Sequence, residues 1–204
     1  TAAMPSLNWR QPEQFRAAVQ AVKKATRGAP FGVNLIVNKS NPRVDQDLAI
    51  CAEEKVSFII TSLGNPKEVI RRMHEVGSKV LCDVVNLDYA KKVSDLGADG
   101  VIAVSSGAGG HAGPISPLVL IPYLKKHLQI PIIAAGGIAT GQQMAAALTL
   151  GADGVQLGTR FIASTESKAS DDYKKAILGA KPEDILMTLR ISGTPAAVNK
   201  LLVA

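Results

Sequence analysis

Aromatic residues make up only 4% of this 204-residue chain, so its hydrophobic core must consist mostly of Val, Ile, Leu and Ala. No apolar run reaches the roughly 18 residues that a membrane-spanning helix needs. The first residues lack a charged stretch followed by an apolar one, so we expect no signal peptide. These absences predict a cytoplasmic protein that does not contact a membrane.

Cysteine is scarcer still, with only Cys51 and Cys82. Both lie in apolar segments, and their spacing does not match that of metal ligands. Because disulfides are rare in the cytosol, buried free thiols are the favoured interpretation. The sequence predicts no metal site.

Charge of one sign is not concentrated anywhere, although the net charge is +6. Nucleic-acid-binding proteins usually gather positive charge on one face or interleave it with aromatics. Four separated lysine pairs, at 23–24, 91–92, 125–126 and 174–175, lie at the solvated ends of predicted helices, so we expect no nucleic-acid partner. A basic balance still favours an anionic ligand such as a phosphate.

Apolar runs alternate with amphipathic segments along the chain. Continuous apolar runs, rather than period-two alternation, indicate parallel strands that are covered on both faces. The predicted strands are 31–37, 58–62, 79–85, 100–105, 131–136 and 154–161. The predicted helices are 12–26, 44–54, 66–76, 87–96, 117–128 and 140–150. Ser116-Pro117 and Asn65-Pro66 have the form of an N-cap followed by proline at the first helical position.

Successive βα units build either a doubly wound sheet or a (β/α)8 barrel. The first strand is not followed by a Gly-x-Gly-x-x-Gly motif, which disfavours a dinucleotide-binding fold. We therefore predict an α/β protein with a TIM barrel that forms a single domain over 1–204. Only six of the eight strands are recognised, so the first βα unit and the second strand are expected upstream of Thr1.

The tetrapeptide Gly-Ala-Asp-Gly occurs twice, at 97–100 and 151–154, each time between a predicted helix and a predicted strand. Glycine just past a helix end can adopt the left-handed conformation that terminates the helix. We predict a structural role for both copies.

Strand ends carry the candidate chemistry, because barrels bind ligands at the carboxyl ends of their strands. Gly136-Gly137 and the segment 156–159 follow the last two predicted strands, where a barrel often holds phosphate. Glycine lets backbone N–H groups approach an anion closely. Asn34 and Asp83 also lie near strand ends, and each could contact a ligand or merely satisfy backbone groups.

His111 lies in a loop with little side-chain bulk, after the strand at 100–105. The neighbouring glycines are Gly107, Gly109, Gly110 and Gly113. A histidine placed there could remove a proton from a carbon acid or donate a hydrogen bond to an oxyanion. His74 and His127 lie in helices among charged residues and are expected to be solvated.

These motifs resemble the nitronate monooxygenase family, also called 2-nitropropane dioxygenase. The resemblance runs from Pro30 to Pro195. Its strongest segments are Gly-Val-Asn-Leu at 32–35, Ala-Gly-Gly-His-Ala-Gly at 108–113, Ala-Ala-Gly-Gly-Ile-Ala at 134–139 and Gln-Leu-Gly-Thr-Arg-Phe at 156–161. Val104 and Gly107 depart from the family pattern, which often has Gln and Glu there.

The resemblance implies an FMN-bearing barrel with a small helical insertion, here around 164–190. It implies that Asn34 contacts the flavin and that Gly109 lines its isoalloxazine or ribityl side. Asp83 is also expected to bind the cofactor. The residues expected to hold the ribityl phosphate are Gly136, Gly137, Gln156, Leu157, Gly158 and Thr159.

By the same resemblance, His111 is the base that takes the proton next to a nitro group. The flavin would accept electrons from the nitronate, and molecular oxygen would reoxidise it. Related flavin-dependent enoyl-ACP reductases share the motifs, so NAD(P)H-dependent reduction of an enoyl thioester is an alternative. A flavin- or phosphate-binding paralogue without turnover is a third. Separately from the resemblance, an incomplete barrel favours a homo-oligomer, because its open edge would need a partner surface.

Overall fold

Strands and helices alternate along the chain, as the apolar runs predict. The computed structural model describes residues 2–9, 11–38, 40–190 and 193–200. Its strands are β1 (Ala2–Pro5), β2 (Phe31–Ile36), β3 (Phe58–Ser62), β4 (Lys79–Val84), β5 (Gly100–Val104), β6 (Gly110–His111), β7 (Ile132–Ala135), β8 (Gly154–Gln156), β9 (Ile185–Thr188) and β10 (Ala196–Asn199). Its α-helices are α1 (Pro12–Ala25), α2 (Val44–Glu53), α3 (Lys67–Glu75), α4 (Leu87–Asp95), α5 (Pro117–His127), α6 (Gly141–Thr149), α7 (Thr159–Ile162) and α8 (Asp171–Gly179).

The sheet topology is that of an α/β fold. The larger sheet has the strand order β1-β2-β3-β4-β5-β7-β8, and a smaller sheet has the order β6-β10-β9. The pairs β1–β2, β2–β3, β3–β4 and β7–β8 are parallel. All six predicted helices are confirmed to within one residue at each end. The prediction of a parallel sheet built from βα units is therefore confirmed.

The chain forms two compact units. Unit 1 comprises the residues up to Asp83 together with Asp88–Val101. Its core is aliphatic, with Val33, Leu35, Leu48 and Ile59 fully buried. Cys51 and Cys82 are both buried and free, as predicted. Burial raises the pKa of Cys82 to about 11, so this thiol is protonated at neutral pH.

Unit 2 comprises Val84–Leu87 and the residues from Ile102 onward. Ile121 of α5 and Ala134 of β7 pack with Ala147 of α6 in its buried core. The Ser116 side chain accepts a hydrogen bond from the N–H of Leu118 and so caps α5, as predicted. Thr140 and Gln143 form a reciprocal capping box at the start of α6.

The N-terminal residues require a correction. Ala2–Pro5 form strand β1, which pairs in parallel with β2 from Ala2↔Phe31 to Pro5↔Asn34. The expectation that the strand preceding 31–37 lies upstream of Thr1 is therefore wrong. The segment Ala-Ala-Met-Pro contains no β-branched residue, so its own sequence gives no strand signal. Pairing with β2 determines its conformation.

The predicted strand 154–161 is also wrong over its second half. Strand β8 ends at Gln156, and Thr159–Ile162 form the short helix α7. Strand β8 ends early because its partner β7 ends at the same level. Ala135, the last residue of β7, pairs with Gln156, and Gly136 after it leaves the extended conformation with φ +117°. Leu157 therefore has no strand neighbour to continue the ladder.

The two Gly-Ala-Asp-Gly segments have the predicted structural role. Gly97 and Gly151 have φ of +93° and +103° and follow the ends of α4 and α6. Asp99 Oδ2 accepts a hydrogen bond from the N–H of Val80 at 2.8 Å, and Asp153 Oδ2 accepts one from Ile132 at 2.9 Å. Each aspartate thereby fixes the start of its own strand against an earlier strand.

The segment around 164–190 contains α8, a 3-10 turn at Pro182–Asp184 and strand β9. Its interpretation as a helical insertion stays a prediction, as does a single domain over 1–204. Within the residues that the structure describes, no helix combines the length and the apolarity needed to cross a membrane.

Candidate functional site

Three polar side chains lie at the carboxyl ends of consecutive parallel strands in unit 1. Asn34 is on β2, Ser62 is the last residue of β3, and Asp83 is near the end of β4. The register pairs Ile36 with Ser62 and Thr61 with Cys82, which brings all three residues to the same edge. Parallel α/β sheets bind ligands beyond this edge.

A continuous hydrogen-bonded chain joins these side chains. Asn34 Nδ2 donates to Ser62 Oγ at 2.8 Å, and Ser62 Oγ donates to Asp83 Oδ2 at 2.5 Å. The other carboxylate oxygen, Asp83 Oδ1, is buried without a hydrogen-bond partner. Burial raises the pKa of Asp83 to about 6, although the bond from Ser62 opposes this change.

Sequence reasoning missed Ser62. The available signal was its position: it ends a strand between the two strands that carry Asn34 and Asp83. It also lies two residues beyond Ile60, the register partner of Asn34, and side chains two apart share a face of the sheet. The alternative that Asn34 and Asp83 bond only to backbone groups is wrong, because both side chains bond to Ser62.

Two glycine-containing loops lie against each other in unit 2. A Cβ added to Gly136 would lie 2.5 Å from Ser105 Oγ and 2.7 Å from the backbone nitrogen of Ala108. A Cβ on Gly107 would lie 3.2 Å from the nitrogen of Gly137. The loop after β5 and the loop after β7 are thus in backbone contact, which only residues without side chains allow.

Ser105 holds the two loops together. Its backbone N–H and its hydroxyl both donate to the carbonyl of Ala135, at 3.0 and 2.9 Å, and the side chain is buried. Gly136 then turns with φ +117° and Gly137 with φ +69°, conformations that favour glycine. The sequence predicted a cradle from Gly136-Gly137 and the segment 156–159, so the contact of Gly136-Gly137 with the loop after β5 is an addition that the structure makes.

Thr159 approaches the same loops from α7. A Cβ on Gly109 would lie 2.7 Å from Thr159 Oγ1, so this hydroxyl faces the glycine backbone. We use the name glycine cradle for Gly107, Gly109, Gly136, Gly137 and Thr159. Gln156, Leu157 and Gly158 form the short connection from β8 to α7, and Gly158 has open space where a Cβ would lie.

His111 lies two residues beyond Gly109, but in a different setting from the expected loop. It belongs to β6 and pairs antiparallel with Ala196 of β10. The N–H of Ala112 adds a hydrogen bond to the carbonyl of Pro195 at 3.2 Å. The histidine is exposed to solvent. Its backbone is held by Ala196, which lies about 85 positions later in the chain.

The other two histidines have surface roles. His74 Nε2 lies 2.8 Å from Asp99 Oδ2, and His127 Nδ1 lies 2.8 Å from the carbonyl of Tyr123. Both residues are exposed. Across residues 2–9, 11–38, 40–190 and 193–200, the His, Cys, Asp and Glu side chains do not form a group of three that could hold a metal ion.

A family model described as nitronate monooxygenase matches residues 40–202. The chain belongs to this family. The match covers both glycine loops, His111 and the segment 156–159, so the family assignment from the sequence motifs is confirmed.

Individual relatives carry different names. A "(3aS,4S,5R,7aS)-5-hydroxy-7a-methyl-1-oxo-octahydro-1H-indene-4-carboxyl-CoA dehydrogenase" of Rhodococcus jostii is 34% identical over 91% of this chain and 52% of its own length. A nitronate monooxygenase of Paraburkholderia phytofirmans is 37% identical over 72% of this chain and 43% of its own. This chain spans about half the length of the curated relatives it matches.

Among solved structures, FabK from Thermotoga maritima is similar to this chain throughout. The TM-score is 0.88 at 41% identity, and the alignment covers 94% of this chain and 60% of FabK. The α/β fold described above is therefore shared with an experimentally determined structure.

Proposed function

We propose that this protein is an FMN-dependent oxidoreductase that oxidises alkyl nitronates or nitroalkanes with molecular oxygen. The observation that carries the proposal is the glycine cradle, which lies two residues from an exposed histidine. Family membership adds weight, because the matching family model is described as nitronate monooxygenase. We also propose that the seven-stranded parallel sheet belongs to a (β/α)8 barrel, and that the protein acts in the cytoplasm.

The glycine cradle fits a phosphate group. A Cβ on Gly136 or Gly109 would collide with a neighbouring backbone or hydroxyl atom, and a Cβ on Gly107 would be tightly crowded. Gly107, Gly109 and Gly137 are exposed, so an anion can approach their backbone closely, and the exposed Thr159 adds a side-chain donor. We propose that Gly136, Gly137, Gln156, Leu157, Gly158 and Thr159 hold the phosphate of FMN.

The remaining residues predicted to bind the cofactor would contact other portions of the flavin. Gly109 would flank the isoalloxazine or ribityl portion, and Asn34 and Asp83 would contact the flavin. Bound FMN supplies the redox chemistry, which protein side chains lack. The protein contributes binding, orientation and proton transfer.

His111 is the proposed base. Its imidazole can accept the proton from the carbon next to the nitro group, because the neutral ring has an unprotonated nitrogen. Pairing of β6 with β10 fixes the backbone that carries this ring. The substrate would be a small molecule that reaches the histidine from solvent.

A comparison of FMN with riboflavin tests the cradle. Wild-type protein should bind FMN more tightly than riboflavin, because riboflavin lacks the phosphate. Thr159→Val should weaken FMN binding by about threefold to tenfold, the effect of one lost hydrogen bond, and leave riboflavin binding unchanged. Thr149→Val removes a hydroxyl from the exposed surface of α6 and is the matched control. Equal affinities for both flavins would contradict the proposal.

Substitution of His111 tests the base. His111→Asn should reduce turnover of neutral nitroalkane by about 10²-fold to 10⁴-fold. It should spare FMN binding and the turnover of nitronate that is ionised before mixing. His127→Asn, at an exposed helical histidine, should change neither reaction. Unchanged nitroalkane turnover in His111→Asn would reject the role.

A thioester-directed oxidoreductase is the second candidate. The Rhodococcus jostii relative, named as a carboxyl-CoA dehydrogenase, covers more of this chain than the nitronate monooxygenase relative does. An NAD(P)H-dependent enoyl-ACP reductase is the form predicted from the motifs. Anaerobic mixing separates the candidates: bleaching of the flavin by NADH but not by a nitronate would favour the second and refute the first.

A further inference from the structure

The chain Asn34–Ser62–Asp83 has a defined hydrogen-bond direction. Ser62 Oγ has one proton, and its 2.5 Å contact with Asp83 Oδ2 assigns that proton to the bond with the carboxylate. Towards Asn34, Ser62 can then only accept. The Asn34 amide must therefore present Nδ2 to Ser62 at 2.8 Å, which leaves Oδ1 on the other side of the amide.

We propose that Ser62 is a positioning residue and that Asp83, in addition to the flavin contact proposed above, acts through Ser62, so that the amide of Asn34 is oriented with Oδ1 facing the ligand as a hydrogen-bond acceptor. The ligand must therefore offer an N–H or O–H donor at this point. This inference rests on the proposed function in one respect, since it takes the bound flavin to be that ligand. It adds Ser62 and a fixed amide polarity to the predicted contact of Asn34.

Protonation of Asp83 would reverse the direction of the chain. A protonated Oδ2 donates to Ser62 Oγ, whose own proton then bonds to Asn34 Oδ1, and the amide turns Nδ2 towards the ligand. The pKa of Asp83, raised by burial to about 6, places this reversal in an accessible pH range. Ligand binding should therefore weaken as the pH falls through about 6.

The groups around Asp83 support this assignment. Strand β3 faces it with the neutral hydroxyl of Ser62, and the β5 residues of the same unit are Gly100 and Val101. Cys82 on β4 has its pKa raised by burial to about 11, and burial also raises the pKa of Tyr89 on α4. Both stay neutral near pH 6, so Asp83 is the group that changes charge there.

Flavin titrations of the full-length protein test the positioning role. Ser62→Ala should weaken FMN binding at pH 7.5 by about threefold to tenfold and remove the pH step near 6. Ser62→Thr retains the hydroxyl and should restore both. Asp83→Asn should also lack the step. A Ser62→Ala protein with wild-type affinity and a wild-type pH step would overturn the proposal.

Reciprocal substitution gives the sharpest result. Asn34→Asp alone places two carboxylates beside a hydroxyl with one proton, so FMN binding should weaken by about tenfold or more. When Asn34→Asp is combined with Asp83→Asn, Ser62 can donate to the carboxylate now on β2 while it accepts from the amide now on β4. The double variant should therefore bind FMN at least about fivefold more tightly than Asn34→Asp. A double variant that binds no better would refute the directed chain.

A measurement without flavin separates this inference from the proposed function. In the flavin-free protein, the side-chain amide resonances of Asn34 should shift with a midpoint at pH about 6. The shift should be absent from Ser62→Ala and Asp83→Asn. Titration of these resonances in a wild-type protein that binds no FMN would retain the chain and reject the cofactor. FMN binding without any titration would do the reverse.

Discussion

Replacing Asp83 with asparagine should stabilise the flavin-free protein at neutral pH. Asp83 is partly buried, its Oδ1 is buried without a hydrogen-bond partner, and burial raises its pKa from 3.8 to about 6. Ionising this carboxyl is therefore about 3 kcal/mol less favourable in the folded protein than in the unfolded chain. Asparagine is close in shape and carries no charge, so it removes this destabilisation.

The pH dependence has a definite sign. Well below pH 3.8 the carboxyl is neutral in both states, so its ionisation contributes no difference between the two proteins. As the pH rises from about 4 to about 6, the unfolded chain ionises while the folded protein still holds the proton, so the wild type loses stability relative to Asp83→Asn. Above about pH 6 the full difference of about 3 kcal/mol persists.

Urea denaturation of both proteins at pH 4, 5, 6 and about 7.5, followed by circular dichroism, measures this difference. Asp95→Asn is the control, since this exposed aspartate at the end of α4 should alter stability by less than about 0.5 kcal/mol. An Asp83→Asn protein that is less stable than wild type at neutral pH, or a difference that does not change with pH, would refute the reasoning.

Two further predictions concern glycine and aspartate positions. Gly136→Ala should destabilise the protein by about 2 kcal/mol or more in urea denaturation, because φ is +117° and the new Cβ would meet Ser105 Oγ at 2.5 Å. Gly141→Ala, at the open first position of α6, should be neutral or stabilising; equal effects would contradict the account. Asp99→Ala should cost about 1–3 kcal/mol at pH 7 by removing the acceptor of Val80 N–H. Burial raises the pKa of Asp99, but bonds from Lys79 and Val80 outweigh it and lower the value below 3.8, so this cost should shrink only below that pH. A cost that already shrinks near pH 6 would contradict this assignment.

The regular elements were predictable because their signals are local. Continuous apolar runs gave β2 to β5 and β7, and caps such as Ser116 gave the helix starts. Strand β1 could not be predicted, because four residues without β-branching become a strand only through pairing with β2. The early end of β8 likewise depends on Gly136, which lies in another part of the chain.

The candidate site likewise has features that the sequence predicts and features that it does not. The glycine loops were predictable, because Gly-Gly at the end of a parallel strand is typical of a tight turn whose backbone approaches another group closely. Ser62 was missed because an isolated serine has many roles, and only the 2.8 and 2.5 Å bonds reveal its two partners. The support of His111 by β10 was missed because no local pattern indicates a pairing between residues so distant in sequence.

The Gly-Ala-Asp-Gly repeat connects the structural residues to the candidate site. Asp153 bonds to Ile132 through both its N–H and its carboxylate, which aligns the starts of β7 and β8. From that start, the register runs to Ala135↔Gln156, so Gly136 and Leu157 leave their strands at the same level. A shift of one residue would move every side chain of β8 to the opposite face and displace Thr159 from Gly109. Asp153 lies at the start of β8, and through this register it helps to determine which residues form the glycine cradle at the other end of the strands.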